Sequence, residues 1–283
     1  VTTEAEAAEA VAEALARYAY HGVAIEAGPE GWGAGPVAVR AYLPVDAGLE
    51  LARRGVEEAL WHLGQIRPIA APVFRRVAEA DWESAWKEHM QVMHIGRRIV
   101  VRPSWRPYSA ALDEIVITLD PGQAFGTGVH PTTQMCLVAL EELLRPGADV
   151  LDMGTGSGIL AIAAALLGAG AVLALDNDPV AVNVALENTA ANGVQNVVRV
   201  RLGSLGEADG QYNLIAANIL AQVIADMLGA GLASRLCPGG VMIASGILEG
   251  QEAAVVGAAA AAGLVLQRRW QTDDWVCLAL ARR

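Results

Sequence analysis

From "DVLDMG" at residue 149 onward, short apolar strands and helical stretches follow one another with few interruptions, and this alternation constrains the fold more than any other feature. In order they read as strand "DVLDMG", helix "GILAIAAALLGA", strand "AVLALDND" and helix "PVAVNVALENTAANG". Strands "VVRVRLGS" and "YNLIAANIL" follow, then a helix to residue 235, strand "GGVMIASG" and a helix over 249–262. Parallel strands need long crossovers, usually helices, and strands covered on both faces are apolar throughout. The pattern therefore predicts an α/β fold: a doubly wound, mostly parallel sheet with helices on both faces. The tail "LVLQRRWQTDDWVCLALARR" reads as two more strands joined by polar "QTDD", an antiparallel closing pair.

The first 78 residues have a different rhythm. Residues 4 to 20 carry apolar residues at helical spacing, "GVAIEA" and "GPVAVRAYLP" read as strands, "AGLELARRGVEEALWHL" as an amphipathic helix, and "IRPIAAPVFRRVAE" as a further strand. This is a small α+β unit with the order of a ferredoxin-like sandwich, and the first strand of that order is expected to be missing. Residues 79–92 form the expected linker helix, with Trp82 and Trp86 four apart on one face of "DWESAWKEHM" and Asp81 as its cap. The large domain is expected over 93–283. Its first part holds strands in "RRIVVRPSW" and "DEIVITLDPG", then a helix in "TTQMCLVALEELLRPG" started by threonine and stopped by Pro-Gly.

The net charge of −11 disfavours a nucleic-acid partner, since phosphate binding needs a basic stripe. Cys136, Cys237 and Cys277 are widely spaced and odd in number, so they read as buried apolar residues, neither a disulfide framework nor a zinc pattern. No apolar run has the length and purity of a membrane span, and the acidic, alanine-rich first residues do not resemble a targeting peptide, so a cytoplasmic location is expected.

The chemistry gathers at the ends of the strands. In "LDMGTGSG", Gly154, Gly156 and Gly158 let the backbone turn sharply between strand and helix and bring N–H groups close to a ligand. Gly156, Gly158 and Ala161 also satisfy a dinucleotide pattern, so the loop alone leaves a nicotinamide or flavin site open. Asp176 ends the next strand, where its carboxylate can accept both hydroxyls of an adenosine ribose. Asp178 before Pro179 reads as a helix cap. Asn218 ends the strand "NLIAAN", either as a cap of the next helix or as the counterpart of the asparagine in "NPPY"-type motifs of amino-methylating enzymes.

Taken together, "DWESAWKEHM", "IGRRIVVRPSW", "LDPGQAFGTGVHPTT", "LDMGTGSGILAIAAALLGA", "NDP", "ENTAANGV", "AANIL", "PGG" and "SGIL" occur in an order that resembles the ribosomal protein L11 methyltransferase family over nearly the whole chain. The resemblance implies a class I methyltransferase domain behind a small substrate-recognition domain, with S-adenosylmethionine as cofactor and ribosomal protein L11 as protein substrate. It also implies Asn218 as the catalytic residue at the reacting nitrogen. Thr133, Gly154, Gly156, Asp176 and Asn218 would bind the cofactor. The competing readings are an enzyme acting on another amine, a nicotinamide oxidoreductase, and a binding module that docks without turnover.

"AFGTGVHPTT" lacks the Gly-Lys-Ser/Thr of a phosphate loop, and His130 has no spaced partner for a metal, so no metal is expected. The stretch is expected to fold over the methionine end of the cofactor. Phe125, Thr127 and His130 would wall the substrate channel, and the resemblance implies that Thr133 holds the amino-acid part.

Overall fold

The computed structural model describes residues 1–16, 18–26, 37–45, 48–64, 69–75, 91–120 and 128–282. Residues 79–90 of the predicted linker helix, Phe125 and Thr127 lie outside these residues. The chain divides into two compact units, Val1–Ala85 and Trp86–Arg283.

In the first unit β1 (Thr2–Thr3), α1 (Ala5–Ala16), β2 (Tyr20–Glu26), β3 (Val37–Tyr42) and α2 (Leu49–Gly64) follow in order. Ala8, Val11 and Leu15 recur at helical spacing on α1 and pack with Val37 and Val39 of β3 and Val56 and Leu60 of α2. The strands pair as β1-β3-β2, all antiparallel. The expectation that no strand precedes α1 is corrected: Thr2–Thr3 forms one, too short to show a period in sequence but paired with Ala38 and Val37. Of the strand expected in "IRPIAAPVFRRVAE", the described residues show an isolated antiparallel bridge from Ile69 to Thr3.

The second unit holds a seven-stranded sheet and a three-stranded one. β4 (Met93–Ile95), which has no counterpart in the sequence reading, pairs antiparallel with β5 (Ile99–Arg102), and β5 pairs parallel with β6 (Ile115–Thr118). Then come α3 (Pro131–Leu143), β7 (Asp149–Met153), α4 (Ile159–Leu166), β8 (Ala171–Asp176), α5 (Pro179–Ala191), β9 (Val198–Leu202) and β10 (Tyr212–Asn218). α6 (Ala221–Gly229), β11 (Leu236–Leu248), α7 (Glu252–Ala261), β12 (Leu264–Thr272) and β13 (Trp275–Arg282) complete the unit. The helix expected to run to 235 stops at Gly229, and a separate 3-10 turn covers Leu232–Arg235.

The large sheet has the order β12-β13-β11-β10-β7-β8-β9. β7 to β11 are parallel, and β13 runs against both its neighbours, β11 and β12. Successive residues of a strand face opposite sides, so each strand feeds two cores. On β10, Leu214 and Ala216 join the core beneath α3 and α4, while Ile215 and Ala217 join the one beneath α6 and α7. The small sheet belongs to the first of these cores through Ile95, Ile99, Val101 and Ile117. Asn192, in the "ENTAANG" stretch, is structural: its amide accepts from the Thr118 N–H at 2.8 Å and donates to the Thr118 carbonyl at 2.7 Å, capping the end of β6 as a strand partner would.

The chain builds β7, β8 and β9 outward in one direction and then crosses back to lay β10 on the other side of β7. Ligands of open α/β sheets sit where the strand order reverses, outside the carboxyl ends of the strands. Here that point lies between Met153–Gly154 and Asn218.

Candidate active site at the strand ends

A cleft of about 650 Å³ opens at this point and is lined by residues from the ends of β7, β8, β9, β10 and β11 and the starts of α3, α6 and β13. Thr133, Gly154, Gly156, Asp176, Asn218 and His130, six residues singled out in the sequence, all line it.

The glycine loop differs from the expectation in one respect. Its N–H groups do not face the cleft as free donors: Gly154 and Thr155 donate to the Leu175 carbonyl at 2.8 and 2.9 Å, and Gly156 donates to Asp176 Oδ2 at 2.9 Å. The loop is thereby stitched to β8, because a β7–α4 turn beside a parallel neighbour finds a carbonyl near that neighbour's end closest. Gly154 instead supplies space. Its φ is +74°, and a Cβ there would overlap the Ile219 side chain.

Asp176 is held from both sides, since Oδ1 accepts the Asp178 N–H at 3.0 Å while Oδ2 accepts Gly156. A carboxylate has about four acceptor positions. Two remain, one on each oxygen, at a fixed spacing. Asp178 caps α5 as expected, accepting the Val180 N–H at 2.8 Å.

α3 starts two residues before the threonine that the sequence pointed to. His130 is its N-cap, Pro131 is the first helical residue, and His130 Nδ1 accepts the Thr132 N–H at 3.3 Å with the Thr132 hydroxyl at 2.7 Å. An Nδ1 that accepts leaves the ring proton on Nε2, and burial pushes the imidazole pKa below its ordinary value, so the ring is neutral at pH 7. Thr133 is fully buried and its N–H is occupied by the His130 carbonyl at 3.0 Å. Its hydroxyl, rather than its amide, is the group left for chemistry. That hydroxyl accepts from Asn218 Nδ2 at 3.2 Å.

Asn218 does not cap α6, whose N-cap is Leu220. With its NH₂ end committed to Thr133, its side-chain carbonyl is the acceptor it offers to the cleft. Hydrogen bonding thus orients an amide acceptor at the end of a buried strand.

The profile of the family described as "Ribosomal protein L11 methyltransferase (PrmA)" matches residues 1–283. Ribosomal protein L11 methyltransferases of Chloroflexus aurantiacus and Herpetosiphon aurantiacus are 46% and 42% identical to the chain, each alignment covering 98% of the chain and 95% of the relative. The chain belongs to the ribosomal protein L11 methyltransferase family. A crystal structure of a ribosomal protein L11 methylase from Lactobacillus delbrueckii subsp. bulgaricus is 36% identical and superposes with a TM-score of 0.61, over 68% of this chain and 97% of that one. The chain is thus a methyltransferase, with S-adenosylmethionine as its methyl donor.

Within this family member, several lining residues carried no sequence signal of their own. Trp275 opens β13 and meets the His130 ring edge-on, with centroids 4.9 Å apart and planes at 74°. Nothing local to "DDWVC" shows which end of the sheet it reaches. Leu220, Val223 and Met227 add an apolar wall. The three- and four-residue steps from the N-cap Leu220 into α6 are a helical stripe, the one cue that was available.

Beneath the cleft, Asp152 is fully buried and donates nothing; it accepts the Thr155 hydroxyl at 2.6 Å. Burial raises its pKa to about 6, and the bonds from Thr155 and the Ala161 amide offset this only in part. Cys136 and Cys277 are fully buried free thiols, and contact with Cys277 together with burial pushes the Cys136 thiol well up, so it stays protonated. Cys237 is only partly buried, at the start of β11. Among the described residues no group of His, Cys, Asp and Glu can hold a metal.

Proposed function

We propose that this chain binds S-adenosylmethionine in the cleft and transfers methyl groups to amino groups of ribosomal protein L11, lysine side chains or the N-terminal amine. The observation that carries the site assignment is the Asn218–Thr133 hydrogen bond, which turns the asparagine carbonyl toward the cleft at the end of β10. The names of the full-length relatives supply the substrate.

The residues fit the cofactor. The two remaining acceptor positions of Asp176 match a pair of vicinal ribose hydroxyls, with Gly154 and Gly156 allowing close approach beside them. The wall of Leu220 and Val223 offers a dry face to a flat base. The Thr133 hydroxyl lies on the other side of the cleft, where it would reach the amino-acid end. When bound, S-adenosylmethionine supplies a methyl carbon on a positively charged sulfur.

Methyl transfer to an amine is an in-line displacement, so the protein's task is to hold a neutral nitrogen in line. A lysine amine with an ordinary pKa of about 10.4 is protonated at neutral pH, and freeing its lone pair costs roughly 4 to 5 kcal/mol. Desolvation in the cleft lowers that pKa, and the proton leaves to water before the site closes. The Asn218 carbonyl, with the backbone carbonyl of Ile219 beside it, accepts the remaining N–H bonds and aims the lone pair. His130, neutral at pH 7, adds no positive charge against an arriving ammonium. Phe125 and Thr127 complete the channel wall in this reading. Residues 1–78 serve as the substrate-recognition domain, followed by a linker over 79–92. No helix among the described residues is long and apolar enough to cross a membrane, and the ribosomal substrate makes the cytoplasm the place of action.

The test is incubation with S-adenosylmethionine and purified ribosomal protein L11, read by intact mass. Additions in steps of one CH₂ support the reading. Tight cofactor binding without any addition rejects the substrate.

A further inference from the structure

One strand that contributes no acceptor side chain to the cleft nevertheless controls it. Between β11 and β13 the register runs Ala244 against Leu278 and then Ile247 against Val276, three steps on one strand for two on the other. β11 thus carries an extra residue, a bulge at Ser245–Gly246, and bulges bend a strand and re-aim what lies beside it. Ser245 is fully buried and fixes the bulge by donating its hydroxyl to the Val276 carbonyl at 3.0 Å. On its other side β11 is still in register with β10, pairing Ser245 with Asn218, and the Ile219 N–H donates to the Ser245 carbonyl at 3.2 Å.

Gly246 has φ +81°, and a Cβ built on it would overlap the Ile219 carbonyl oxygen and stand 2.9 Å from the Ile219 carbonyl carbon and 3.1 Å from its nitrogen. All three are backbone atoms, so no side chain can swing away to make room. From the opposite direction, Gly154 makes the same allowance for the Ile219 side chain. Ile219 is gripped by two left-handed glycines, one against its side chain and one against its peptide.

We propose that Gly246 is a positioning residue for methyl transfer: the β11 bulge holds the Asn218–Ile219 peptide so that both carbonyls stay aimed at the substrate amine. This rests on the assignment of those carbonyls as amine acceptors. A Cβ at residue 246 would push the Ile219 carbonyl out of place without touching Asp176 or Thr133.

The test compares Gly246→Ala, Gly246→Asn, Asn218→Ala and the double variant of Gly246→Ala with Asn218→Ala, with ribosomal protein L11 as substrate. Turnover, affinity for S-adenosylhomocysteine and the distribution of mono-, di- and trimethylated product by intact mass are the readouts. Gly246→Ala is expected to cut kcat by about ten- to hundredfold, the scale for misplacing a positioned group, with S-adenosylhomocysteine affinity retained and product shifted toward fewer methyls. Asparagine tolerates left-handed torsions but carries a Cβ, so Gly246→Asn should fail like alanine; rescue by asparagine would mean that only the torsion matters and would overturn the proposal. The double variant should be no slower than Asn218→Ala alone, because both changes disable one acceptor pair; multiplied losses would also overturn it. Should Gly246→Ala not fold, Ser245→Ala loosens the bulge without adding an atom and should shift kcat and product distribution the same way on a smaller scale; no shift there counts against the proposal. A wild-type chain inert toward ribosomal protein L11, or an Asn218→Ala variant with full turnover, would instead remove the underlying assignment.

Discussion

The two ends of the cleft are built differently. The end at Asp176 is made from one continuous stretch, the β7 loop and the tip of β8, and its geometry is set by backbone amides on a carboxylate and on the Leu175 carbonyl. The end at Asn218 is assembled from β10, α3, β11 and β13, and its main polar contact joins residues 85 apart in the chain. One end is local and pinned by the main chain, whereas the other depends on long-range packing of side chains. Under the proposed function, a cofactor end pinned by the main chain coexists with a reacting end whose alignment rests on a few contacts, so changes at the two ends should separate binding from turnover.

The widest separation is expected from Asn218→Ala. Loss of the oriented acceptor should lower kcat by about 100- to 1000-fold, the range for removing one preorganised transition-state contact, while S-adenosylhomocysteine binding measured by calorimetry changes little. Equal losses in both would collapse the distinction between the ends.

Asp152 lies under both ends, bonded to Thr155 of the glycine loop and close to the Cys136–Cys277 contact beneath α3. Its pKa of about 6 exceeds the ordinary 3.8, so the native state holds its proton more tightly than the unfolded chain does. Stability from this group is therefore greatest below pH 4 and falls as pH rises to 6, by roughly 3 kcal/mol in all. Asp152→Asn, neutral throughout, should lack this fall: its Tm relative to wild type should rise between pH 4 and pH 7. A parallel pair of Tm curves would show that the carboxylate titrates normally.

Asp176→Asn sharpens the contrast from the other side. Its NH₂ group must face either the Gly156 or the Asp178 N–H, and cofactor affinity should weaken by about ten- to hundredfold, as for lost hydrogen bonds to a charged group. Turnover at saturating cofactor should stay near wild type. The mildest change is Thr133→Val, which removes the acceptor that orients Asn218 and should lower kcat by about two- to tenfold, the value of one neutral hydrogen bond, with single-turnover rates as the measurement.

Much of this was legible in the sequence because it is local. Period and punctuation located every strand and helix from β7 to β13, and the position of Asp176 and Asn218 at strand ends follows from the same reading. What escaped was set by partners far along the chain. Thr2–Thr3 is a strand only because β3 lies beside it. The helix expected to open with a threonine opens with His130, since an imidazole caps as well as a hydroxyl when its Nδ1 is free to accept. Trp275 looks like any strand aromatic until β13 is placed between β11 and β12. The bulge at Gly246 has no signature in "ASGIL", because a bulge is defined by what the partner strand lacks.

The position of β13 has a consequence for how the molecule is made. β12 is synthesised first yet lies outside β13 in the sheet, so on a nascent chain β12 has no neighbour to pair with until Trp275–Arg282 has followed it out of the ribosome. Until then β11 is an open edge of the kind that recruits foreign strands. The segment from β7 to β10 can close the Asp176 end while translation continues, whereas the wall of His130 and Trp275 is completed only when the last strand slides into the gap. The two ends of the cleft therefore mature in succession, and the Asn218 end, where the proposed reaction takes place, is finished last.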